Sequence, residues 1–353
     1  MKILFLTLSD ETVASSRTRV FQYLPYLDRK GIRYRVIVYT PSRYLAFNGP
    51  QLRVYHFLIL FFSLILSIFY PIVFIQKIIF PIHFINLLKA FGKRVIFDFD
   101  DAIYTLHQSD ESKATSSTLD TISKYFNHTV ASSDLVVLEN ETNLDIISPM
   151  NSNILMITGP IDTARYCPRQ VSKSDDIIVI GWIGSPHNTF YLDPLLSLFA
   201  KICRKYSNVR FTIIGSSYQI IPGVDARLVA WNLQTEVSEL QTFDIGIMPL
   251  PDDEWTRGKG GYKLLQYMAL GIPSVASPVG INTSLIDNGN NGFLAVTETE
   301  WFDCLCLLID NETERLRMGA FARNIAVESY SFEVASRRLI NAVNSLDRQG
   351  GNF

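Results

Sequence analysis

Apolar residues along the chain fall into two alternating series, short β-rich runs separated by stretches with helical spacing. The first series of runs is Lys2–Leu8, Arg33–Tyr39, Ile72–Gln76, Arg94–Phe99, Leu135–Leu138 and Ile154–Ile157. The runs are nearly continuous rather than alternating, which predicts parallel strands covered on both faces. Helices are expected between them at Arg17–Lys30, near Arg53–Tyr70, at Ile82–Phe91 and at Leu119–Ser132. The second series is Ile177–Ile183, Val209–Ile214, Ala226–Ala230, Asp244–Met248, Pro273–Ala276 and Phe293–Val296. Its helices are expected near Thr189–Tyr206, Lys259–Leu270 and Trp301–Glu328.

Repeated βα units in both halves predict an α/β chain of two doubly wound, Rossmann-like domains. The turn-rich stretch from Thr158 to Pro168 places the boundary, giving expected domains over 1–165 and 166–330. An amphipathic last helix, Phe332–Leu346, sits in an expected third segment, 331–353. Ligands of such sheets bind beyond the carboxyl ends of the strands, and with two domains a cleft between them is the default site.

At 353 residues the length suits two domains, and 48% apolar with 19% charged residues excludes a disordered or low-complexity chain. Four scattered cysteines without zinc-ligand spacing favour a reduced, cytoplasmic chain. The first strand begins at Lys2, so no signal peptide is expected. Charge changes the picture more than composition does. The net charge of −2 conceals a basic first third, in which residues 1–97 hold 13 Lys and Arg against 3 Asp and Glu. An anionic partner is expected there: nucleic acid, a phosphate-rich ligand or an anionic membrane surface. Nucleic acid ranks last, because no aromatic-and-basic stacking platform accompanies the charge. Val54–Gln76 adds 23 residues without a formal charge. That segment reads as peripheral membrane contact or a buried helix rather than a span, since Pro71 divides it before a run the sheet needs.

Candidate chemistry sits at the predicted strand ends. Ser16, Arg17 and Arg19 follow the first strand, with both arginines expected at a helix start. Cations there oppose the helix dipole unless they share an anion with the free N–H groups; a solvated turn is the plain alternative. Asp98-Phe99-Asp100-Asp101 ends the fourth run, where carboxylates suit a metal, a base, hydroxyl recognition or simple capping. No bound metal is expected. In the second half, Gly184-Ser185-Pro186-His187 allows close approach to a phosphate, or forms an ordinary capping turn. Gly-x-Gly-x-x-Gly is missing after the first strand and the P-loop is missing throughout, which weakens dinucleotide-oxidoreductase and NTPase readings.

The richest stretch is Asp244–Gly280. Gly258-Lys259-Gly260-Gly261 is expected to open a helix on which Lys259, Lys263 and Gln266 share one face. Lysines in a first turn again suggest an anion, here a diphosphate with a hydroxyl-rich group beside Gln266.

Lys263-Leu264-Leu265-Gln266-Tyr267-Met268-Ala269-Leu270-Gly271-Ile272-Pro273-Ser274-Val275-Ala276-Ser277 resembles the donor-site helix and following strand of family 4 glycosyltransferases. Asn288–Phe293 is similar to that family's next turn, and Gly159–Asp162 to its interdomain segment. The resemblance implies the GT-B fold, two Rossmann-like domains facing a cleft, with the C-terminal helix returning to the first domain. It implies a retaining, metal-independent transfer from a nucleotide sugar, UDP- or GDP-linked, with no resident cofactor. Family members usually carry two glutamates where this chain has Gly258 and Gln266, and an Arg and a Lys where it has Gly184–Asn188. Arg257, Lys259 and Lys263 are then expected to neutralise the leaving diphosphate, with Gly184, Ser185, His187, Gln266 and Gly280 also on the donor side.

Asp100 or Asp101 is expected to orient the acceptor or stabilise positive charge, so the expected catalytic set is Asp100, Asp101, Lys263 and Arg257. Ser16, Arg17 and Arg19 are expected on the acceptor side. The basic, apolar first domain suits a lipid-linked or saccharide acceptor of surface-polysaccharide assembly, on the inner face of the plasma membrane. Two alternatives stand beside this one: a sugar-nucleotide epimerase of the same fold, and a non-catalytic membrane-associated scaffold.

Overall fold

The structure of the chain, a computed structural model, describes residues 1–41, 50–105, 116–170 and 176–349. Contacts divide it into two compact units. The first takes Met1–Pro160, Gly258–Gly260 and the chain from Phe332 onward, and the second takes Ile161–Arg257 and Gly261–Ser331. The division therefore falls at Pro160, a little before the expected boundary.

The first unit is a parallel sheet of β1 (Lys2–Thr7), β2 (Arg33–Val38), β3 (Ile72–Gln76), β4 (Arg94–Asp98), β5 (Leu135–Leu138) and β6 (Ile154–Met156). Its spatial order is β2-β1-β3-β4-β5-β6. All residues of β3 and β5 are buried, as both-face cover requires. The helices are α1 (Ala14–Arg19), α2 (Leu24–Arg29), α3 (Pro50–Ser67), α4 (Ile82–Ala90), α5 (Ser116–Ser132) and α6 (Glu141–Ile147).

The second unit orders its parallel strands β12-β11-β10-β7-β8-β9. They are β7 (Ile178–Ile183), β8 (Val209–Ile214), β9 (Ala226–Val229), β10 (Ile245–Met248), β11 (Ser274–Ala276) and β12 (Gly292–Leu294). Its helices are α7 (Leu196–Lys205), α8 (Glu236–Leu240), α9 (Glu254–Arg257), α10 (Tyr262–Ala269), α11 (Asn282–Leu285), α12 (Glu298–Asp310) and α13 (Glu312–Ser329). The last helix, α14 (Phe332–Gln349), packs in the first unit, where Phe332, Leu339 and Val343 join Ile3, Phe5 and Tyr23 in one core. Each unit is thus a doubly wound, Rossmann-like α/β layer structure.

Several expected helices take a different form. The expected helix Arg17–Lys30 starts at Ala14 and breaks at Val20, where a 3-10 turn, Phe21–Tyr23, separates α1 from α2. The β-branched Val20 leaves helical geometry at φ −131°. Thr189–Tyr206 begins instead with a 3-10 run, Pro186–Leu195, in which Pro194 denies an α-helical hydrogen bond. Trp301–Glu328 is two helices, since Asn311 leaves helical geometry and its side chain caps α13 from Glu314 N. The helix expected from Lys259 starts only at Tyr262, because Gly261 adopts φ +68°. The helix α6 had no counterpart in the apolar pattern; Asn140 caps it through Asn143 N.

Candidate functional site

In the second unit the strand order reverses between β7 and β10, the switch point at which such sheets bind ligands. Gly246 on β10 leaves room for the Tyr267 ring of α10, since a Cβ there would overlap it. The Tyr267 hydroxyl then accepts from Ile183 N at 3.3 Å, at the carboxyl end of β7. This seating brings the amino end of α10 to the switch point.

Two of the expected donor-side residues, Lys263 and Gly184, meet there against Trp182. Lys263, in the first turn of α10, holds its Nζ 4.7 Å from the centre of the buried Trp182 ring. Gly184 approaches the same ring so closely that a Cβ would overlap it. Gly280, at φ +52°, packs against the backbone of Arg257, again leaving no space for a side chain. Arg257 is exposed and pairs with Asp252 through Nε at 2.6 Å. Ser185 and His187 are exposed in the loop after β7. The helix α10 has no side-chain cap and no acidic residue in its first turn. Its leading N–H groups and Lys263 therefore present positive potential where an anion would sit.

Two expectations about this stretch are corrected. Lys259 lies outside α10, so Lys259, Lys263 and Gln266 do not form one helical stripe. Residues 258–260 pack with the first unit, where the carbonyl of Lys259 accepts from Asn140 Nδ2 at 3.0 Å. A Cβ on Gly258 would come within 2.5 Å of the Ala102 Cβ, so a glutamate has no room there. Gln266 is 4% exposed and turned inward. Its Nε2 donates at 3.3 Å to both Glu236 Oε1 and the Tyr166 hydroxyl. Trp231 Nε1 donates to the other Glu236 oxygen at 2.5 Å, and Tyr166 also donates to Glu236. Burial, with the Glu236 carboxylate beside it, pushes the Tyr166 hydroxyl up to about 12. Gln266 is one of three neutral donors, with Tyr166 and Trp231, gathered around the Glu236 carboxylate.

In the first unit the order reverses between β1 and β3. That crevice is filled by protein: Gln76 Oε1 accepts from Thr7 Oγ1, Leu8 N and Ser16 Oγ, at 3.0, 3.1 and 3.2 Å. Ser16 Oγ also accepts from Ser9 N. The arginines sit in the last turn of α1, the end where the dipole favours cations, which overturns the dipole-opposed placement expected from the sequence. Arg17 donates to the carbonyls of Glu11 and Thr12. Arg19 is 1% exposed and spans Asp98, at the end of β4, and Glu139, just after β5. Its Nη1 also donates to the carbonyls of Ile157 and Gly159 at 2.8 and 2.9 Å. Burial raises Asp98 to about 6 and Glu139 well above the usual carboxylate range; Arg19 opposes both shifts. The guanidinium is itself held charged by the two carboxylates against its own burial.

Asp100 and Asp101 meet a residue that the strand pattern did not single out. Lys77, directly after β3, reaches Asp100 Oδ1 at 2.6 Å and Asp101 Oδ2 at 2.5 Å. Lys77 adopts φ +59°, unusual for a residue with a Cβ. Burial works against its charge, and the two carboxylates more than restore it. Glu139 was readable by the same strand-end rule that found Asp98; Glu236 and Tyr166 carried no local signal. Among the described residues no group of three His, Cys, Asp or Glu stands as a metal site.

The family model described as "Glycosyl transferases group 1" matches residues 176–311, the stretch that builds this switch point. None of the curated proteins matches the chain. Among solved structures, Anabaena Alr3699/HepE in complex with UDP-glucose superposes with a TM-score of 0.70 at 14% identity, over 98% of this chain and 100% of that one. A glycosyltransferase from Rickettsia africae ESF-5 gives a TM-score of 0.74 at 11% identity, over 98% of each chain. Sucrose-phosphate synthase from Thermosynechococcus elongatus gives 0.74 at 11%, over 99% of this chain and 100% of that one. At these identities the likeness is one of fold. Residues 176–311 thus resemble the glycosyl transferases group 1 pattern, and the chain shares its two-unit, Rossmann-like fold with solved structures of glycosyltransferases.

Proposed function

We propose that the chain transfers a sugar, with retention of anomeric configuration, from a UDP- or GDP-sugar to a lipid-linked or saccharide acceptor of the cell envelope. The observation that carries the reading is the uncapped start of α10, with Lys263 at the β7/β10 switch point. In the transfer, the bond from the sugar C1 to the β-phosphate oxygen breaks and its electron pair leaves with the nucleoside diphosphate. The acceptor hydroxyl oxygen forms the new bond to C1, and its proton passes to the departing phosphate. Negative charge grows on the diphosphate, so fixed donors aimed at it lower the barrier. Lys263 and the first N–H groups of α10 supply that field. Gly184 and Gly280 keep the approach free of side chains, while Ser185, His187 and Arg257 stand at its exposed rim.

On the acceptor side, Asp100 and Asp101 orient the attacking hydroxyl, and Lys77 holds the two carboxylates in place. Arg19 and Ser16 support this side from within the first unit, and Arg17 shapes the loop after β1. The chain needs no metal in this scheme and works at the cytoplasmic face of the membrane.

Calorimetric titration with UDP, GDP and ADP tests the donor half. One nucleotide is expected to bind selectively, and failure of all three would overturn the reading. Incubation with the matching nucleotide sugar tests the reaction. A retained-configuration glycoside formed only with acceptor supports transfer, whereas an isomerised donor formed without acceptor assigns an epimerase instead.

A further inference from the structure

The helix α3 carries an apolar surface that the fold does not cover. Phe57, Leu58, Phe61, Phe62, Ile68 and Phe69 are each between 55 and 67% exposed. The first four recur at intervals of one and three along α3, so they form one stripe, which Ile68 and Phe69 extend past its end. The opposite face is anchored, with Leu60 and Leu64 packed on the sheet core. Phe91, at the end of the neighbouring α4, is also 51% exposed. A contiguous patch of large apolar side chains on a folded surface marks an interaction site.

We propose that this face docks on the surface of an anionic phospholipid bilayer, with α3 lying in the interfacial plane. Charge around the stripe selects that occupant. Arg53 is exposed at one end, and Lys93 Nζ lies 3.3 Å from the carbonyl of Ile68 at the other. From residue 29 through residue 97 the chain contains no Asp or Glu, so nothing on these elements repels lipid phosphates. The two nearby cations that do meet a carboxylate, Lys89 and Arg94, share Asp134 from outside this segment.

Hydrogen bonding points the same way. A specific protein interface normally supplies directional donors and acceptors around its apolar centre. Here the exposed stripe of Phe57, Leu58, Phe61 and Phe62 carries no side-chain donor or acceptor, while Ser63 and Ser67 are buried away from it. The stripe offers contact without direction, which suits acyl chains, and its basic ends suit headgroups. Among the described residues no helix is long and apolar enough to cross a membrane, and α3 keeps one face on its own core. The inference deepens the reading of a lipid-linked acceptor, but its test needs neither donor nor acceptor.

The test is flotation of the full chain with vesicles of phosphatidylcholine alone and of phosphatidylcholine with 30 mol% phosphatidylglycerol, at low and high salt. Three arms are compared: the wild type, the triple variant Phe57→Ser, Phe61→Ser and Phe62→Ser, and the pair Arg53→Glu with Lys93→Glu. The wild type is expected to float with the anionic vesicles, less so at high salt. Removing three exposed phenyl groups should weaken partitioning by roughly 100-fold or more. The charge pair should abolish the preference for anionic lipid. Because the phenyl groups are exposed, an unchanged melting temperature separates lost docking from lost fold. Three outcomes overturn the proposal: no flotation with anionic vesicles, flotation indifferent to the triple variant, or a wild-type dimer in sedimentation equilibrium that the triple variant converts to monomer without vesicle binding.

Discussion

Arg19 and Asp98 stand 79 residues apart in the chain, yet Arg19 Nε lies 3.1 Å from each carboxylate oxygen of Asp98. The pair is buried, and Glu139 shares the same guanidinium. One cation thus closes the carboxyl ends of β4 and β5 onto α1. Replacing it by a neutral residue leaves two carboxylates in the interior without a counter-charge. Arg19→Met should therefore lower stability by about 3–5 kcal/mol, measured by urea denaturation at pH 7.5. A loss below about 1 kcal/mol would mean that the cluster is solvated.

The same cluster sets a pH dependence. Asp98 is raised to about 6 and Glu139 well above the usual carboxylate range, both by burial, so the folded chain holds protons that the unfolded chain has released. Their stabilising contribution is complete below the ordinary carboxylate range and is lost as pH rises through the raised range, for Asp98 through about 6. For Asp98 alone this is on the order of 3 kcal/mol. Glu139→Gln keeps an acceptor for Arg19 and removes one titration. The difference in stability between pH 5 and pH 7.5 should shrink in this variant, and equal differences in the two proteins would disprove the assignment.

Lys263→Ala removes the cation at the start of α10 while leaving its buried face intact. A fall of about 100-fold in kcat/KM is expected, in the range of losing one oriented electrostatic donor. Nucleotide affinity should fall with it in the calorimeter. Retention of both would move the leaving-group role elsewhere.

Gln266→Glu would restore the residue that related enzymes usually carry. Here it would set a second carboxylate beside Glu236, whose Oε1 is 3.3 Å from Gln266 Nε2. Like charges at that distance in a buried cluster should cost about 1–3 kcal/mol of stability at pH 7.5. Gln266→Glu combined with Glu236→Gln should recover most of it. A double-mutant cycle without coupling would show that the two positions do not share a network.

Gly258→Ala tests the loop ahead of α10. Its methyl group would press on Ala102 at 2.5 Å, and overpacking of this size costs about 1–3 kcal/mol. Gly258→Ala with Ala102→Gly should relieve it, a compensation read by thermal melting.

Both sheets could be read from the sequence because strands covered on two faces must be apolar throughout, and Ile72–Gln76 and Leu135–Leu138 are. Gly184 and Lys263, a small residue after a strand and a cation at a helix start, lie against one ring, that of Trp182. What the chain could not disclose was which polar groups would turn inward. Arg17 and Arg19 looked like free cations at a helix start until Val20 broke the helix and put them in its last turn. Gln266 looked like a ligand-facing residue until Glu236, 30 positions away, claimed it. Lys77 gave no hint of its two aspartates. Local periodicity determined the strands because backbone pairing and burial act over a few residues. The partners of buried charges were decided only by tertiary structure, because desolvation makes each interior charge take whatever counter-charge the completed fold brings within reach.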